Sequence, residues 1–188
     1  MTETPNPNIV DADTLTGQMR PFRRAVLSIG SNVGDREGNL QGAISSLADT
    51  PEVYLVDTSP VYETEPIGSP VEADDFLNAV LIVDTTLSAD TLLERCLAVE
   101  DAYGRERGER NAPRTLDIDL LVLGDKRIET DDLTLPHPRA RERVFVLQPW
   151  LDIDAEGEIP GHGRLSDLLG KLDLGGVRRR DDLQLELP

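Results

Sequence analysis

VYLVDTSPVYETEPIGSPVEADDFLNAVLIVDTTL, residues 53–87, is the stretch that decides the fold. Residues 53–64 have the β-branched and aromatic content of a strand, and Pro60 marks an edge or a bulge within it. Residues 65–74 hold two prolines and a glycine and read as a loop. FLNAVLIVDTTL, 76–87, is a second and stronger strand. Two strands in succession with no helix between them exclude a simple alternating parallel sheet.

Working outward, RRAVLSI (23–29) predicts a first strand that runs into Gly30-Ser31-Asn32. Leu40, Ala43, Ile44 and Leu47 recur at helical spacing over 37–49, with Asp35 as N-cap and Pro51 as terminator. Downstream, Ser88 caps a second helix with Leu92, Leu93, Cys96, Leu97 and Val99 on its apolar positions. GRERGERNAP (104–113) is too polar and glycine-bearing to pack and reads as a mobile charged loop. TLDIDLLVLG (115–124) is a strand closed by Gly124-Asp125; a short strand near Ile128, the extended LTLPHP and a helix near Arg139–Trp150 follow. The order is β-α-β-β-α-β, an α+β ferredoxin-like antiparallel sheet with both helices on one face, plus an added hairpin and C-terminal helix. The organisation expected is a disordered tail over 1–22, one domain over 23–165 and an extension of uncertain order over 166–188.

No apolar run reaches the roughly 18 residues of a membrane span, and the polar N-terminal residues lack the pattern of an export signal. With a single cysteine, Cys96, the expected compartment is the cytoplasm and the thiol is read as a small core hydrophobe. A net charge of −17 speaks against nucleic acid or an anionic membrane as partner. The charge is uneven. Residues 1–100 carry 17 acids and 5 bases, whereas residues 101–148 carry 10 acids and 9 bases, nearly all of them Arg. Arg105, Arg107, Arg110, Arg114, Arg139, Arg141 and Arg143 fall in two short groups there. Guanidinium groups suit multidentate binding of phosphate, so this segment reads as a polyphosphate site.

Within that segment, strand alternation puts Thr115, Asp117, Asp119 and Leu121 on one face and Leu116, Ile118, Leu120 and Val122 on the other. Two carboxylates about 7 Å apart on one strand face repel unless a cation intervenes. Such a pair suits Mg²⁺, which takes one or two carboxylates plus water and substrate phosphates. Two such ions can clamp both oxygens of an in-line displacement. Taken alone, a DxD in an acidic chain is also compatible with a solvated strand face. No P-loop is present, and Gly30-Ser31-Asn32 is read as a tight turn or a phosphate contact. His162, in PGHGR, is read as solvated.

The run RNAPRTLDIDLL (110–121) resembles the signature of the 6-hydroxymethyl-7,8-dihydropterin pyrophosphokinases of folate biosynthesis. LSIGSN (27–32), VYETEPIG (61–68), DFLNAV (75–80) and LPHPRARERVFVLQP (135–149) resemble that family in the same order. The resemblance implies that a pterin hydroxymethyl oxygen attacks the β-phosphorus of ATP and AMP leaves. It implies Asp117 and Asp119 as ligands of two Mg²⁺ ions, with Arg105 and Arg114 catalytic beside them. It implies Glu100, Arg107, Arg110, His137 and Arg143 for ATP, and Thr64, Ile67, Phe76, Asn78 and Phe145 for the pterin. A monomer is expected. Asn111 and Ala112 stand where many relatives have Trp and Gly, and Pro138 where some have an aromatic residue, so the loop and the adenine contact depart from the pattern. Two other readings remain open: a kinase moving only the terminal phosphate, and a non-catalytic binding module on the same scaffold.

Overall fold

The computed structural model describes residues 20–65, 74–104 and 114–188. Residues 1–19, most of the expected tail, lie outside them. The sheet is assembled on β4 (Phe76–Thr85), which is buried along most of its length. One edge of β4 pairs with β1 (Arg23–Ser31), from Arg23 opposite Thr85 to Ser31 opposite Leu77. Its other edge is shared by β2 (Val53–Thr58), beside residues 81–85, and β3 (Tyr62–Thr64), beside residues 76–78. β5 (Asp117–Leu123) pairs with the far edge of β1, and β10 (Val177–Arg179) with β3. Every pairing in this sheet is antiparallel.

The single strand expected over 53–64 is therefore two. Pro60 has no N–H to give the ladder. Ser59 substitutes for it: its N–H donates to the Val80 carbonyl at 2.9 Å and its hydroxyl accepts from the Val80 N–H at 2.8 Å. A second irregularity, between Leu55 and Asp57, leaves Val56 outside the register.

Helices cover both faces. α1 (Arg36–Ala48) begins at Asp35, whose carboxylate accepts from the Gly38 N–H at 3.0 Å. α2 (Ala89–Ala102) begins at Ser88, whose hydroxyl accepts from the Thr91 N–H at 3.2 Å. Leu40, Ile44 and Leu47 of α1 and Leu92, Cys96 and Val99 of α2 pack on Leu27, Ile29 and Leu81, so these two helices share one face, as expected. The opposite face carries a second core, where α3 (Val144–Ile153) and α4 (Leu165–Leu169) bring Val146, Leu147, Trp150 and Leu165 onto Val26, Val80 and Ile82.

Three other expectations are corrected. Leu121 and Val122, assigned to opposite faces by alternation, both join the second core, because the register slips between Val26 and Leu27 on the partner strand. The helix expected near Arg139–Trp150 is a 3₁₀ turn, Ala140–Glu142, followed by α3. Arg143 between them is extended, with φ −112° and ψ 107°. Residues 166–188, read as an extension of uncertain order, carry ordered structure. They contain most of α4 and all of β10, Leu185 lies in the first core, and Glu186 exchanges two 2.9 Å hydrogen bonds with the Gln41 carboxamide. The hairpin foreseen after β5 is present as β6 (Ile128–Glu129) and β7 (Thr134–Leu135), and a second, β8 (Glu158–Ile159) with β9 (Gly163–Arg164), was not foreseen. Among the described residues no helix is long and apolar enough to cross a membrane.

Candidate active site

Gly30 is opposite Asn78 on one side and Asp117 on the other. Directly opposed residues in antiparallel strands point to the same face, so Asn78 and Asp117 project together, about 10 Å apart across two strand spacings. Phe76 and Asp119, two residues along their strands, share that face. It is the face of the second core, but α3 covers only the far half of the strands. On the near half the side chains of Asp117 and Asp119 are 21% and 29% exposed, while Gly30 and Asn78 are buried.

Each carboxylate already has a cationic neighbour. Arg114 donates to Asp117 Oδ2 at 2.8 Å and Arg143 to Asp119 Oδ2 at 2.9 Å. The extended conformation at Arg143, between the 3₁₀ turn and α3, is where that guanidinium departs from the helix. It also lies 5.6 Å from the centre of the Phe145 ring. His137 Nε2 is 3.9 Å from Asp119 Oδ1, and the His137 N–H donates to the Leu121 carbonyl at 2.8 Å. Nδ1 of His137 accepts from the Arg139 N–H at 3.2 Å. Burial pushes this imidazole below its ordinary value, against the pull of Asp119, and Arg143 and Arg139 reinforce the fall. Glu100, buried at the end of α2, accepts from the Ile118 N–H at 2.6 Å and so fixes the strand between the two aspartates.

Beside the pair opens a cavity of about 300 Å³, walled by Leu93 and Leu97 of α2, Ile118 and Leu120 of β5, Leu133 and Pro138, with Glu100, Asp119, Asp131, Asp132, Thr134 and His137 as its polar groups. Half of this lining is apolar and half polar, a mixture that can take a ring system on the apolar walls and hydrogen-bond its rim. On the other side of Gly30, the Asn78 amide donates to Thr64 Oγ1 at 2.9 Å, and both residues are buried. Phe76 and Phe145 are half-buried on this face, one on β4 and one in the first turn of α3.

Among the described residues no group of three or more acidic, His or Cys side chains forms a metal cage. Two half-exposed carboxylates fit Mg²⁺ that brings water and substrate phosphates as its other ligands.

Thus Thr64, Phe76, Asn78, Glu100, Arg114, Asp117, Asp119, His137, Arg143 and Phe145 gather around one region. Ile67, Arg105, Arg107 and Arg110, with Asn111 and Ala112, lie outside the described residues. Cys96 is in the core with its thiol pushed up to about 12 by burial, and His162 is exposed beside Arg141. Sequence reasoning missed the role of Asn32, which ties the strand end to Arg114. Its carboxamide oxygen accepts from the Arg114 N–H at 2.7 Å, its own N–H donates to the Arg114 carbonyl at 3.1 Å, and its amide donates to the Asp74 carbonyl at 3.5 Å. The only local signal was a polar residue following a buried strand.

Comparison with known proteins gives the family of this chain. Residues 26–155 match the family model described as 7,8-dihydro-6-hydroxymethylpterin-pyrophosphokinase. A 2-amino-4-hydroxy-6-hydroxymethyldihydropteridine pyrophosphokinase of Methylorubrum extorquens is 42% identical over 156 residues, 83% of this chain and 98% of that relative. Enzymes with the same name are 41% identical in Bacillus subtilis, over 69% of this chain and 77% of the relative, and 34% identical in Pseudomonas aeruginosa, over 84% and 97%. Among solved structures, wild-type Plasmodium falciparum HPPK-DHPS with pteroate superposes at a TM-score of 0.64 and 14% identity, over 80% of this chain and 42% of that one. The same protein with pterin and p-hydroxybenzoate gives 0.62 and 16%, over 84% and 44%. At such identity the likeness is one of fold, and this chain spans under half the length of those chains.

Proposed function

This chain belongs to the 7,8-dihydro-6-hydroxymethylpterin-pyrophosphokinase family, and from that premise we propose where on this fold its reaction takes place. It is an ATP-dependent diphosphotransferase that transfers pyrophosphate to 6-hydroxymethyl-7,8-dihydropterin in folate biosynthesis. The observation that carries the proposal is the row Asn78–Gly30–Asp117, which brings a carboxamide and a carboxylate pair to one sheet face with a side-chain-free residue between them. We read the strand order, with β5 and β4 flanking β1 and β2 and β3 sharing the outer edge, as a ferredoxin-like core.

In this reading the pterin lies beside Asn78 and Thr64, its rim hydrogen-bonded to them and its faces stacked on Phe76 and Phe145. Flat heteroaromatic rings favour such stacking. The nucleoside of ATP occupies the slot between α2 and β5. Asp117 and Asp119 are the ligands for two Mg²⁺ ions arriving with the nucleotide. When bound, these ions neutralise phosphate charge and polarise the reacting oxygens. Arg114 and Arg143, each bonded to one of the two carboxylates, would offer their remaining N–H groups to the phosphate oxygens. Neutral His137 donates from Nε2 towards the same region, and Arg105, Arg107 and Arg110 add cationic charge from loop 104–113. Charge stabilisation and alignment are most of what phosphoryl-type transfer requires. The hydroxymethyl oxygen attacks the β-phosphorus and AMP departs. We place the protein in the cytoplasm as a monomer, with a catalytic domain that starts near residue 23 and takes in α4 and β10 beyond residue 165.

Mass analysis of products from ATP and 6-hydroxymethyl-7,8-dihydropterin in Mg²⁺ buffer tests the reaction. AMP and the pterin diphosphate are expected, whereas ADP would mean transfer of the terminal phosphate alone. Asp119→Ala should lower kcat by at least about a hundredfold while leaving the circular dichroism spectrum unchanged. Full activity in that variant would remove Asp119 from the metal site.

A further inference from the structure

We propose that the C-terminal strand β10 is a positioning element of the pterin site, acting through Glu63 on one sheet face and Asp152 on the other. This rests on the pterin assignment made above. Residues 177–179 lie beyond the segment matched by the family model, 26–155.

The sequence Val177-Arg178-Arg179-Arg180 extends the sheet beside β3, with Arg178 opposite Glu63 and Val177 opposite Thr64. The Arg180 N–H continues the contact by donating to the Val61 carbonyl at 2.9 Å. Alternation then sends Arg178 and Arg180 to one face and Arg179 to the other. On the first face is Glu63, whose side chain is only 8% exposed. Its Oε1 accepts from Arg180 at 3.0 Å and from Arg36 at 3.2 Å, and its Oε2 accepts from Arg178. The same Arg36 nitrogen donates to the Asp75 carbonyl at 2.6 Å. Glu63 precedes Thr64 and Asp75 precedes Phe76, so one guanidinium ties the side chain of the residue before Thr64 to the backbone of the residue before Phe76. On the second face Arg179 lies 3.7 Å from Asp152, which also accepts from the Tyr62 hydroxyl at 2.6 Å. Asp152 belongs to α3, the helix whose first turn carries Phe145. A single strand thus holds both the β3–β4 wall and the helix bearing the second aromatic ring.

Glu63 is buried as an anion and needs all its cations. Removing some of them leaves a buried charge underpaired, so the carboxylate moves towards water or Arg36 shifts to compensate. Either movement displaces Asp75 and Phe76. The nucleotide slot, formed by α2, β5 and the β6–β7 hairpin, contains none of these residues. Disturbing β10 therefore acts on pterin binding and leaves ATP binding alone, which a general loss of stability would not do.

The test is steady-state kinetics of the full-length enzyme as Arg178→Ala/Arg180→Ala, as Glu63→Gln, as the triple variant, and as Asn78→Ala for reference. Melting temperatures are recorded for each. The double variant and Glu63→Gln should raise the pterin KM by about tenfold, the scale of a lost charge-assisted hydrogen bond, with ATP KM within about twofold of wild type. The triple variant should be no worse than the double, since the groups act as one cluster. If Asn78→Ala raises the pterin KM but the double variant changes it by less than about twofold, whatever its melting temperature, β10 is only a structural strap and the proposal falls. Equal rises in both KM values would overturn it too. An unchanged pterin KM in Asn78→Ala would instead overturn the pterin assignment and the proposal with it. Should the double variant not fold, Glu63→Gln, which keeps the side-chain shape, decides the matter by the same criteria.

Discussion

Gly30 does its work by having no side chain. A methyl group built there would lie 3.0 Å from Asn78 Oδ1 and 3.7 Å from the Phe76 ring. Gly30→Ala should therefore turn the Asn78 carboxamide by a few tenths of an ångström and raise the pterin KM several-fold, with a smaller effect on ATP KM. Initial-rate kinetics against each substrate would show the difference. Asp117 and Asp119 were legible in the sequence because alternation along one strand is enough to place both on one face. The places of Gly30 and Asn32 were not legible. Their importance comes from partners on other strands: the Asn32 carboxamide meets the Arg114 N–H across 82 residues of chain.

At the level of elements, both helix starts were readable, since Asp35 and Ser88 act on N–H groups three residues away. Asp35→Ala should cost about 1 kcal/mol of stability, visible in urea denaturation as a lower midpoint with an unchanged slope. The division of 53–64 into two strands was hinted at by Pro60, but the bond pattern that bridges the break depends on Val80. Glu63 gives the β3–β10 contact a pH dependence. Burial by itself would raise its carboxyl, but Arg178, Arg180 and Arg36 outweigh that and hold it below its ordinary 4.5. A depressed folded-state value means the stabilisation is complete above 4.5 and is lost as pH falls through the folded-state value. Melting temperature followed from pH 7 downward should therefore drop more steeply below about pH 4.5 in wild type than in Glu63→Gln, which starts lower and lacks this titration.

For the whole molecule, the sheet carries a core on each face, and the half of the second face that bears Asn78, Asp117 and Asp119 is the candidate site. Leu81, fully buried in the first core, and Leu147, fully buried in the second, report on the two layers separately. Leu81→Ala and Leu147→Ala should each cost about 2–5 kcal/mol by chemical denaturation. The net charge of −17 acts on the molecule as a unit. Its self-repulsion is screened as the Debye length shrinks to about 8 Å at physiological salt. The melting temperature should accordingly rise when NaCl is added to a low-salt buffer, and a fall would mean that the surface ion pairs dominate instead.

The sequence by itself determined the alternating aspartates, the two caps, the helices with their apolar stripes, the succession of two strands and the family signature. Each of these depends on residues within a few positions of one another, where backbone geometry alone fixes the spacing. Only the tertiary structure decided that Gly30 stands between Asn78 and Asp117, that Asn32 holds Arg114, and that Arg180 reaches Glu63 from 117 residues away. It also turned a charged C-terminus into the sixth strand of the sheet. Those contacts follow from strand order and register, which are set by the packing of two cores at once and leave no trace in any short window of the chain.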